Sequence, residues 1–425
     1  MSNLIQPARK GLAALEWLNF FLADVQTGLG PFVAAYLAAS GWNPGSVGYA
    51  LTFGGLVTVA LQTPAGAVVD AARNKKRLVL ASLAVLVAGA VLLLTRPTTA
   101  SIYGSQFLIG AAGPFLLPTV TAITLGMVGA AAFDRQFGKN QAFNSAGNVF
   151  TALLVAAVSY GFGYRAIFAV AALLALPALL CLMAIDAKKI DYARARGGDA
   201  LQERERAEGL RALLKDRVLL LFLVCAFLFH LANAAMLPQL GEMLAKGNPK
   251  AAAPFMSACI IVTQVVIALS ASWIGSRARS KGRKPLLLVG FGVLPIRGVL
   301  YTVTHMTGAL LAIQLLDGVA NAIFGIVSVL VVKDRTQGTG RFNLASGALA
   351  TMVGVGAALS NGIGGALVQR LNFRASFLGL SAIAVLAFVV MWTAIPETLS
   401  AKAKVGASKA NGLKTLQPES EAQAR

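Results

Sequence analysis

The sequence predicts an all-α membrane protein of twelve transmembrane helices, arranged as two six-helix halves with a common pattern. Three observations predict it: the abundance of apolar residues, their grouping into segments of helical length, and the return of short patterns after about 209 positions. Of the 425 residues, 57% are apolar and 13% are charged, and the mean hydropathy is +0.71. A soluble protein of this composition would expose more apolar surface than water tolerates. A nucleic-acid binder with the formal net charge of +20 would be rich in basic residues throughout, so neither class fits.

Twelve apolar segments are long enough to cross a bilayer, which takes about 20 mostly apolar residues per helix. They must be helices, because lipid offers no hydrogen-bond partner to a bare backbone and the alternating pattern of a membrane barrel is absent. No small-residue cleavage site follows the first segment, so we interpret it as a crossing and not as a removable signal peptide. The predicted spans are 14–39, 46–69, 77–95, 100–129, 142–160, 165–185, 217–243, 252–275, 285–304, 308–332, 343–368 and 375–395.

Basic residues are distributed unequally among the connections, and this distribution predicts the orientation. The N-terminus, the even-numbered loops and the C-terminal tail hold 30 of the 37 Lys and Arg residues, whereas the odd-numbered loops hold 6. Both termini are therefore predicted to be cytoplasmic, in a bacterial inner membrane. The positive charge is also compatible with contact to anionic lipid headgroups. The basic residue left over is Arg297, inside span 9.

A single long polar insertion divides the spans six and six. Its charges of mixed sign are typical of a water-exposed connection. The predicted organisation is an N-terminal half over 1–185, a cytoplasmic linker over 186–216, a C-terminal half over 217–396 and a disordered cytoplasmic tail over 397–425.

No pattern in the sequence is typical of an enzyme or of a cofactor site. His230 and His305 are the only histidines, and no HExxH, GxSxG, Walker-type or Gly-rich phosphate loop occurs. Cys181, Cys225 and Cys259 lie inside apolar runs without further ligands at metal spacing, which predicts neither a disulfide framework nor a metal site. We therefore expect no enzymatic activity, no cofactor, no metal and no hydrolysis of ATP.

Three short patterns recur in the same order in the two halves. Ala23-Asp24 matches Ala232-Asn233 at an offset of 209, Gly66 matches Gly275 at 209, and Gln106 to Gly110 matches Gln314 to Gly318 at 208. This repetition indicates a duplication, with the substrate site expected between the halves near the middle of the membrane.

The loops after spans 2 and 8 carry one of these patterns. They read Gly66-Ala-Val-Val-Asp70-Ala-Ala-Arg73-Asn-Lys75-Lys76-Arg77 and Gly275-Ser-Arg277-Ala-Arg279-Ser-Lys281-Gly282-Arg283-Lys284. With twelve spans and a central basic linker, the chain resembles the major facilitator superfamily, whose G-x-x-x-D-x-x-G-R-K motif each copy keeps in part. Arg73 replaces the second Gly in the first copy, and Arg279 replaces the acid in the second. The resemblance covers nearly the whole chain and implies a secondary transporter.

We interpret these loops as a conformational latch. A small residue lets two helices approach closely, and a carboxylate at a helix end can pair with basic groups in one conformation and release them in another. Asp70 and Gly66 are its expected mechanistic members; basic residues that merely set the topology are the alternative. The predicted latch residues are Gly66, Asp70, Arg73, Lys76, Gly275, Arg279 and Arg283.

Ionisable residues inside a bilayer cost several kcal/mol and are functional candidates by default. Asp24 and Asp317 are the predicted proton-coupling residues, because withdrawal from water favours the neutral form of a carboxyl. A structural Asp24, bonded to a neighbouring helix or paired with Arg297, is the alternative. The resemblance implies that spans 1, 4, 7 and 10 line a central cavity. The predicted cavity residues are Trp17, Phe20, Phe21, Thr27, Gln106, His230, Asn233, Arg297, Gln314, Asn321 and Phe324.

Such an aromatic and modestly polar cavity favours an amphipathic organic solute. We expect proton-coupled export of small organic molecules by antiport, with the halves rocking about the site. Two departures weaken the antiport expectation: Gln106 stands where many antiporters of the superfamily have Arg, and span 5 lacks their Gly-Pro pair. Proton-coupled uptake of an organic metabolite is the first alternative, and a polytopic receptor or scaffold is the second. The expected partners are the small-molecule substrate, protons and membrane lipids, without nucleic acid, and the expected state is a monomer.

Overall fold

The computed structural model describes residues 9–27, 29–187, 190–191, 215–336 and 342–399. Within these residues the secondary structure consists of thirteen α-helices, without a strand. In chain order they are α1 Arg9–Thr27, α2 Leu29–Ala39, α3 Pro44–Ala71, α4 Lys75–Leu94, α5 Thr99–Phe162, α6 Tyr164–Ala184, α7 Arg217–Asn233, α8 Met236–Gly247, α9 Pro249–Lys281, α10 Lys284–Leu300, α11 Thr307–Thr336, α12 Phe342–Arg370 and α13 Phe373–Ala394.

These helices account for the twelve predicted spans. Ten segments of the described chain combine the length and the apolar character needed to cross a bilayer. The first predicted span is covered by α1 and α2, on either side of residue 28, which lies outside the described residues. The ninth is covered by the 17-residue α10. The all-α membrane fold is therefore confirmed.

One predicted connection is wrong. The sequence predicts a loop between spans 4 and 5, but residues 130–141 are helical and both crossings lie within α5. The chain turns at Gly129, whose φ of 71° suits a residue without a Cβ. Arg135 and Lys139, the basic residues of this predicted loop, are exposed, whereas Gln136 and Asn140 are buried. Gln136 donates to Asn140, which donates to Thr124 Oγ1 at 3.0 Å. Hydrogen bonds between side chains thus stabilise helix where polarity predicted a turn.

Span 7 is divided into α7 and α8 by a local break. Pro238 has no N–H to donate to the carbonyl of residue 234, and its ring crowds that carbonyl. The N–H of Ala235 donates to Ser360 Oγ of α12 at 2.9 Å, so a neighbouring helix stabilises the break. As a result Asn233 lies at a helix end well inside the crossing.

The two halves use equivalent contacts at the end of the bundle that carries residues 72–74 and 282–283, called here the inner end. Lys75 is fully buried and donates to the carbonyl of Val69, at the end of α3. Arg283 donates to the carbonyl of Ala278, at the end of α9. The donors lie 208 positions apart and the acceptors 209, as the repeat predicts.

The next basic residue of each half repeats this correspondence. Lys76 donates to the carbonyls of Met183 and Ile185 at the end of α6, and Lys284 donates to the carbonyl of Trp392 in the last turn of α13. The carbonyl end of a helix carries partial negative charge, so a cation stabilises it. The duplication is therefore visible in side-chain contacts as well as in helix order.

The halves meet chiefly along three helix pairs, α3 with α12, α5 with α9, and α2 with α8, with a smaller contact between α2 and α9. At the outer end, opposite the inner one, Phe32 of α2 and Ala245 of α8 belong to one buried apolar cluster. Tyr164 Oη donates to the carbonyl of Pro249 at 2.8 Å, which links α6 to the start of α9. The outer end is therefore closed in this conformation.

Candidate functional site

A charged pair is buried between the helices of the second half. Arg297 of α10 is 1% exposed, and its Nη1 lies 2.6 Å from Oδ1 of Asp317 in α11. The same Nη1 donates to Asn233 Oδ1, and Nε donates to Tyr301 Oη at 3.1 Å. Tyr301 Oη in turn donates to Gln314 Oε1 at 2.6 Å. One guanidinium thus joins α7, α10 and α11.

Asp317 accepts hydrogen bonds from four side chains. Oδ1 accepts from Arg297 and from Asn321 Nδ2 at 2.9 Å. Oδ2 accepts from Gln314 Nε2 at 2.9 Å and from Thr263 Oγ1 at 3.2 Å. An ionised carboxylate only accepts, and charge-assisted hydrogen bonds are the strong ones. Both oxygens of Asp317 are therefore bonded, by donors from α9, α10 and α11.

Two glycines allow the helices of this network to approach one another. A Cβ at Gly298 would lie 2.1 Å from Ser381 Oγ of α13, and a Cβ at Gly318 would lie 2.6 Å from Val266 Cβ of α9. Both positions directly follow a member of the charged pair. Small residues at helix contacts in membranes permit such close packing. The Gln314, Asp317 and Asn321 side chains share one face of α11 because they are three and four residues apart.

The aromatic part of the predicted second-half cavity is packed instead of open. Phe324 stacks on Phe229 with ring centroids 4.6 Å apart, and His230 meets Phe324 edge-on at 4.8 Å. Phe324 is 6% exposed. His230 Nε2 is buried and has no hydrogen-bond partner among the described residues.

The first half presents an aromatic cluster that sequence reasoning identified in part. Trp17 contacts Phe20 and Phe21 on its own helix and also Phe143 of α5 at 5.4 Å. Phe20 meets Phe150 of α5 at 5.4 Å. Trp17 is 47% exposed, so the cluster is a surface on α1 and α5 and not a closed core.

The remaining predicted cavity residues are in different situations. Gln106 is buried against α3, where a Cβ on Gly54 would lie 2.7 Å from its Oε1. Asp24 and Thr27 lie in α1, but their side chains fall outside the described part of the chain. The described side-chain contacts of Arg297 are to residues of the second half, and Asp317 is its partner there.

The glycines of the predicted latch do not have the role that was expected of them in this conformation. A Cβ at Gly66 would meet no atom within 4 Å, and one at Gly275 would meet only Arg279 Nη1, at 3.9 Å. No close helix approach therefore depends on them in this conformation. Arg73 and Arg279 are exposed, and the Asp70 side chain lies outside the described residues.

Arg283 is the predicted latch residue with the most extensive contacts. It is 5% exposed, and its Nε donates to Asp334 Oδ2 of α11 at 3.0 Å. The Glu397 carboxylate accepts the backbone N–H groups of Arg283 and Lys284 at 2.9 and 3.2 Å, at the N-terminus of α10. Thr398 donates to Asp334 Oδ2 at 3.3 Å. This inner-end cluster joins the ends of α9, α11 and α13.

Sequence reasoning did not single out several members of these networks. Tyr301, Thr263, Asp334 and Glu397 carry no individual signal, because hydroxyls are common in membrane helices and acids are common at their ends. Glu242 did carry one, since it lies within predicted span 7, where an acid is unusual.

The sequence profile of the Major Facilitator Superfamily matches residues 16–296 and 279–420. The chain belongs to this superfamily. An uncharacterized MFS-type transporter of Mycobacterium tuberculosis strain H37Rv is 41% identical over 398 residues, which cover 92% of this chain and 94% of the relative. The multidrug resistance protein MdtG of Serratia proteamaculans is 42% identical over 71 residues, 17% of each chain.

Solved structures of major facilitator proteins share the fold. The nucleoside transporter NupG superimposes with a TM-score of 0.76 at 15% identity, covering 90% of this chain and 99% of that one. A D-xylose-proton symporter superimposes with a TM-score of 0.70 at 15% identity, covering 92% and 98%. The chain is thus a multi-pass membrane transporter of the major facilitator type.

Proposed function

We propose that the chain exports small amphipathic organic molecules in exchange for protons, by alternating access between its two halves. The observation that carries this proposal is the charged network around Arg297 and Asp317, which the fold itself does not require.

The equivalent helix contact in the first half shows whether the fold itself requires charged residues at these two positions. At the offset of 208, the positions equivalent to Arg297 and Asp317 are Gly89 and Ile109. These two residues also contact each other: a Cβ on Gly89 would lie 2.8 Å from Ile109 Cγ1. The same helix contact is therefore made without charge in one half and by an ion pair in the other. Burying an ion pair has a desolvation cost that an apolar contact avoids, so the charges support a functional role.

We derive proton coupling from the effect that protonation of Asp317 would have on its pairing with Arg297. Protonation of Asp317 would turn one of its acceptor oxygens into a donor and weaken its attraction for Arg297. The guanidinium, which keeps its hydrogen bond to Asn233, would then be available to a polar group of the substrate. Asp24 occupies the first-half position equivalent to Asn233, and we assign it the transported proton. A cycle in which proton and substrate alternate at these groups is an antiport.

The aromatic cluster around Trp17 supports an amphipathic substrate, because aromatic faces bind apolar and cationic groups. The partial match to a multidrug resistance protein favours export. One observation favours the alternative, proton-coupled uptake: the amides of Gln314, Asn321 and Asn233 surround the charged pair and suit a polar metabolite. In either direction we propose a monomer in a bacterial plasma membrane, with both termini in the cytoplasm and lipids, protons and the solute as partners.

The test combines a growth screen with flux measurements. A strain lacking the transporter is compared with its parent on toxic compounds and on carbon sources, and the compounds that separate the strains are taken to proteoliposomes. An imposed pH gradient should drive these compounds against the proton flow for antiport and with it for symport. Flux of none of them under any gradient would favour a receptor or scaffold.

Asp24→Asn should abolish flux driven by the pH gradient, whereas exchange of substrate for substrate across the membrane should continue. Asp216→Asn is the matched control, because this acid lies in a surface ion pair with Arg335 and should leave coupling unchanged. If Asp24→Asn transports with unchanged pH dependence, the assignment of the proton to this residue is wrong.

A further inference from the structure

Helix α8 carries a carboxyl group that the mechanism above does not use. Glu242 is 2% exposed, and its Oε2 has no hydrogen-bond partner among the described residues. Lys246 lies one turn further on the same helix, where it is exposed and lies over the ring of Phe373 at 5.2 Å. No ion pair within 4.0 Å joins Glu242 to any cation of the described chain.

The position of Glu242 is at the closed interface between the halves. Ala245 follows three residues later, so the two are neighbours on one face of α8. Ala245 is buried in the apolar cluster that includes Phe32 of α2. On the preceding residue, Gly241, a Cβ would lie 2.2 Å from Met256 Sδ of α9. Separation of α2 from α8 would therefore uncover the face that holds Glu242.

Other polar atoms in this region also lack partners. Gln239 Nε2 and Ser257 Oγ are buried without a hydrogen bond, although Gln239 Oε1 accepts from Ser376 Oγ at 3.0 Å. With Glu242 Oε2 they make three of the five such atoms in the described chain. Polar groups that lack partners when the outer end is closed can be hydrated when it opens.

The charged and titratable groups on the helices packed against α8 are few. Near the outer end, α9, α12 and α13 carry three exposed cations, which are Lys250, Arg370 and Arg374. Cys259 of α9 is buried. Tyr36 of α2 contacts the carbonyl of Thr95 through its Oη at 3.5 Å. An unpaired carboxylate in such a site would cost several kcal/mol. The closed interface therefore favours the neutral, protonated acid.

We propose that Glu242 is a proton-binding site of the outer gate, which holds a proton while the outer end is closed and releases it to the outer solution on opening. This inference rests on the alternating access proposed above, but it concerns a different proton. The Glu242 proton returns to the side from which it came, so it sets the balance between closed and open states and is not transported.

The sign of the pH dependence follows from linkage. A hydrated Glu in the open state releases its proton above about pH 4.3. Above that pH, each unit increase shifts the equilibrium up to about tenfold toward the open state, until the buried acid itself ionises. Acidification of the outer solution should therefore close the outer end.

Distances across the outer end, measured by electron–electron double resonance, test the proposed pH dependence of the gate without a substrate. Spin labels on unnatural ketone residues at positions 39 and 371 report the separation of α2 from the loop before α13, and both positions are exposed. The full chain in lipid nanodiscs is measured at several values between pH 5 and pH 8. In the parent protein the ratio of long to short distances should rise about tenfold per pH unit over part of this range.

Glu242→Gln should hold the short distance at every pH, whereas Glu242→Asp should keep the pH dependence because it keeps a carboxyl. Glu16→Gln is the matched control: this acid accepts a hydrogen bond from Gln136 Nε2 at 3.0 Å in the first half, and its loss should leave the dependence unchanged. The infrared band of a protonated carboxyl should also disappear in Glu242→Gln at low pH. A parent without pH dependence, or a Glu242→Gln variant that keeps it, overturns the proposal. Coupled flux is measured separately, so a failure of the antiport assignment would not be mistaken for a failure here.

Discussion

Asp317→Asn keeps the shape of the side chain but removes its charge and one acceptor. The oxygen that remains could still accept from Arg297 and Asn321. The new amide nitrogen would face Gln314 Nε2, which now donates to Asp317 Oδ2 at 2.9 Å. The variant therefore combines a lost ion pair with two donors that face each other in a buried site. Removing one partner of a buried pair costs about 3–5 kcal/mol, and we expect the free energy of unfolding to fall by about that amount.

The assay is equilibrium unfolding in mixed micelles, followed by tryptophan fluorescence. Arg297→Gln should be destabilised to a similar extent, and the double variant should lose about 0.5–3 kcal/mol less than the sum of the two, because residues in one network are coupled. Arg335→Gln breaks an exposed pair with Asp216 and should cost no more than about 1 kcal/mol. Additive losses in the double variant, or a parent-like Asp317→Asn, would refute the assignment of this pair as the centre of the buried network.

Two further predictions concern the ion pair at the inner end and the close packing of helices at a glycine. Arg283→Ala should lower the free energy of unfolding by about 3 kcal/mol, because it leaves a half-buried carboxylate without its cation at the inner end; retention of the parent's unfolding midpoint would contradict this. Gly298→Ala should cost about 1–3 kcal/mol, since its Cβ would lie 2.1 Å from Ser381 Oγ, whereas Gly325→Ala, which meets no atom within 4 Å, should gain up to about 1 kcal/mol from helix propensity. Equal effects of the two glycine substitutions, measured by the same unfolding assay, would show that close approach at Gly298 does not matter.

The sequence identified the members of the charged network that are costly in a membrane. Arg297, Asp317 and Gln314 were candidates because charges and amides inside apolar spans are rare, and helical spacing placed the last two on one face. Their mutual contacts depend on how α10 rotates against α11, which no spacing within one helix specifies. Tyr301 and Thr263 were missed for the same reason, since a hydroxyl becomes informative only when its neighbour on another helix is known.

The prediction of a loop at 130–141 failed because polarity has two explanations at a membrane surface. A polar segment can be a hydrated turn, or it can be a helix whose amides bond to one another. Gln136, Asn140 and Asn144 are spaced by four residues, a helical period that was available in the sequence. Asn144 Nδ2 donates to the carbonyl of Asn19 in α1 at 3.3 Å, which continues the same stripe along the helix.

The distribution of strong and weak contacts between the halves bears on how they could move. Every ion pair among the described residues lies within one half: Glu16 with Lys139 in the first, and Asp216, Asp317 and Asp334 with arginines in the second. Between the halves, α3 and α12 meet through small residues, so that a Cβ at Gly48 would lie 2.3 Å from the carbonyl oxygen of Asn361. The hydrogen bond from Thr52 Oγ1 to the carbonyl of Ala358, 2.7 Å long, also crosses this boundary. Contacts between small side chains have no charged partner to lose when they slide, whereas the buried pairs of Arg297 with Asp317 and of Arg283 with Asp334 lie wholly within the second half. A rigid-body rotation of one half against the other is therefore the motion that breaks the fewest costly contacts.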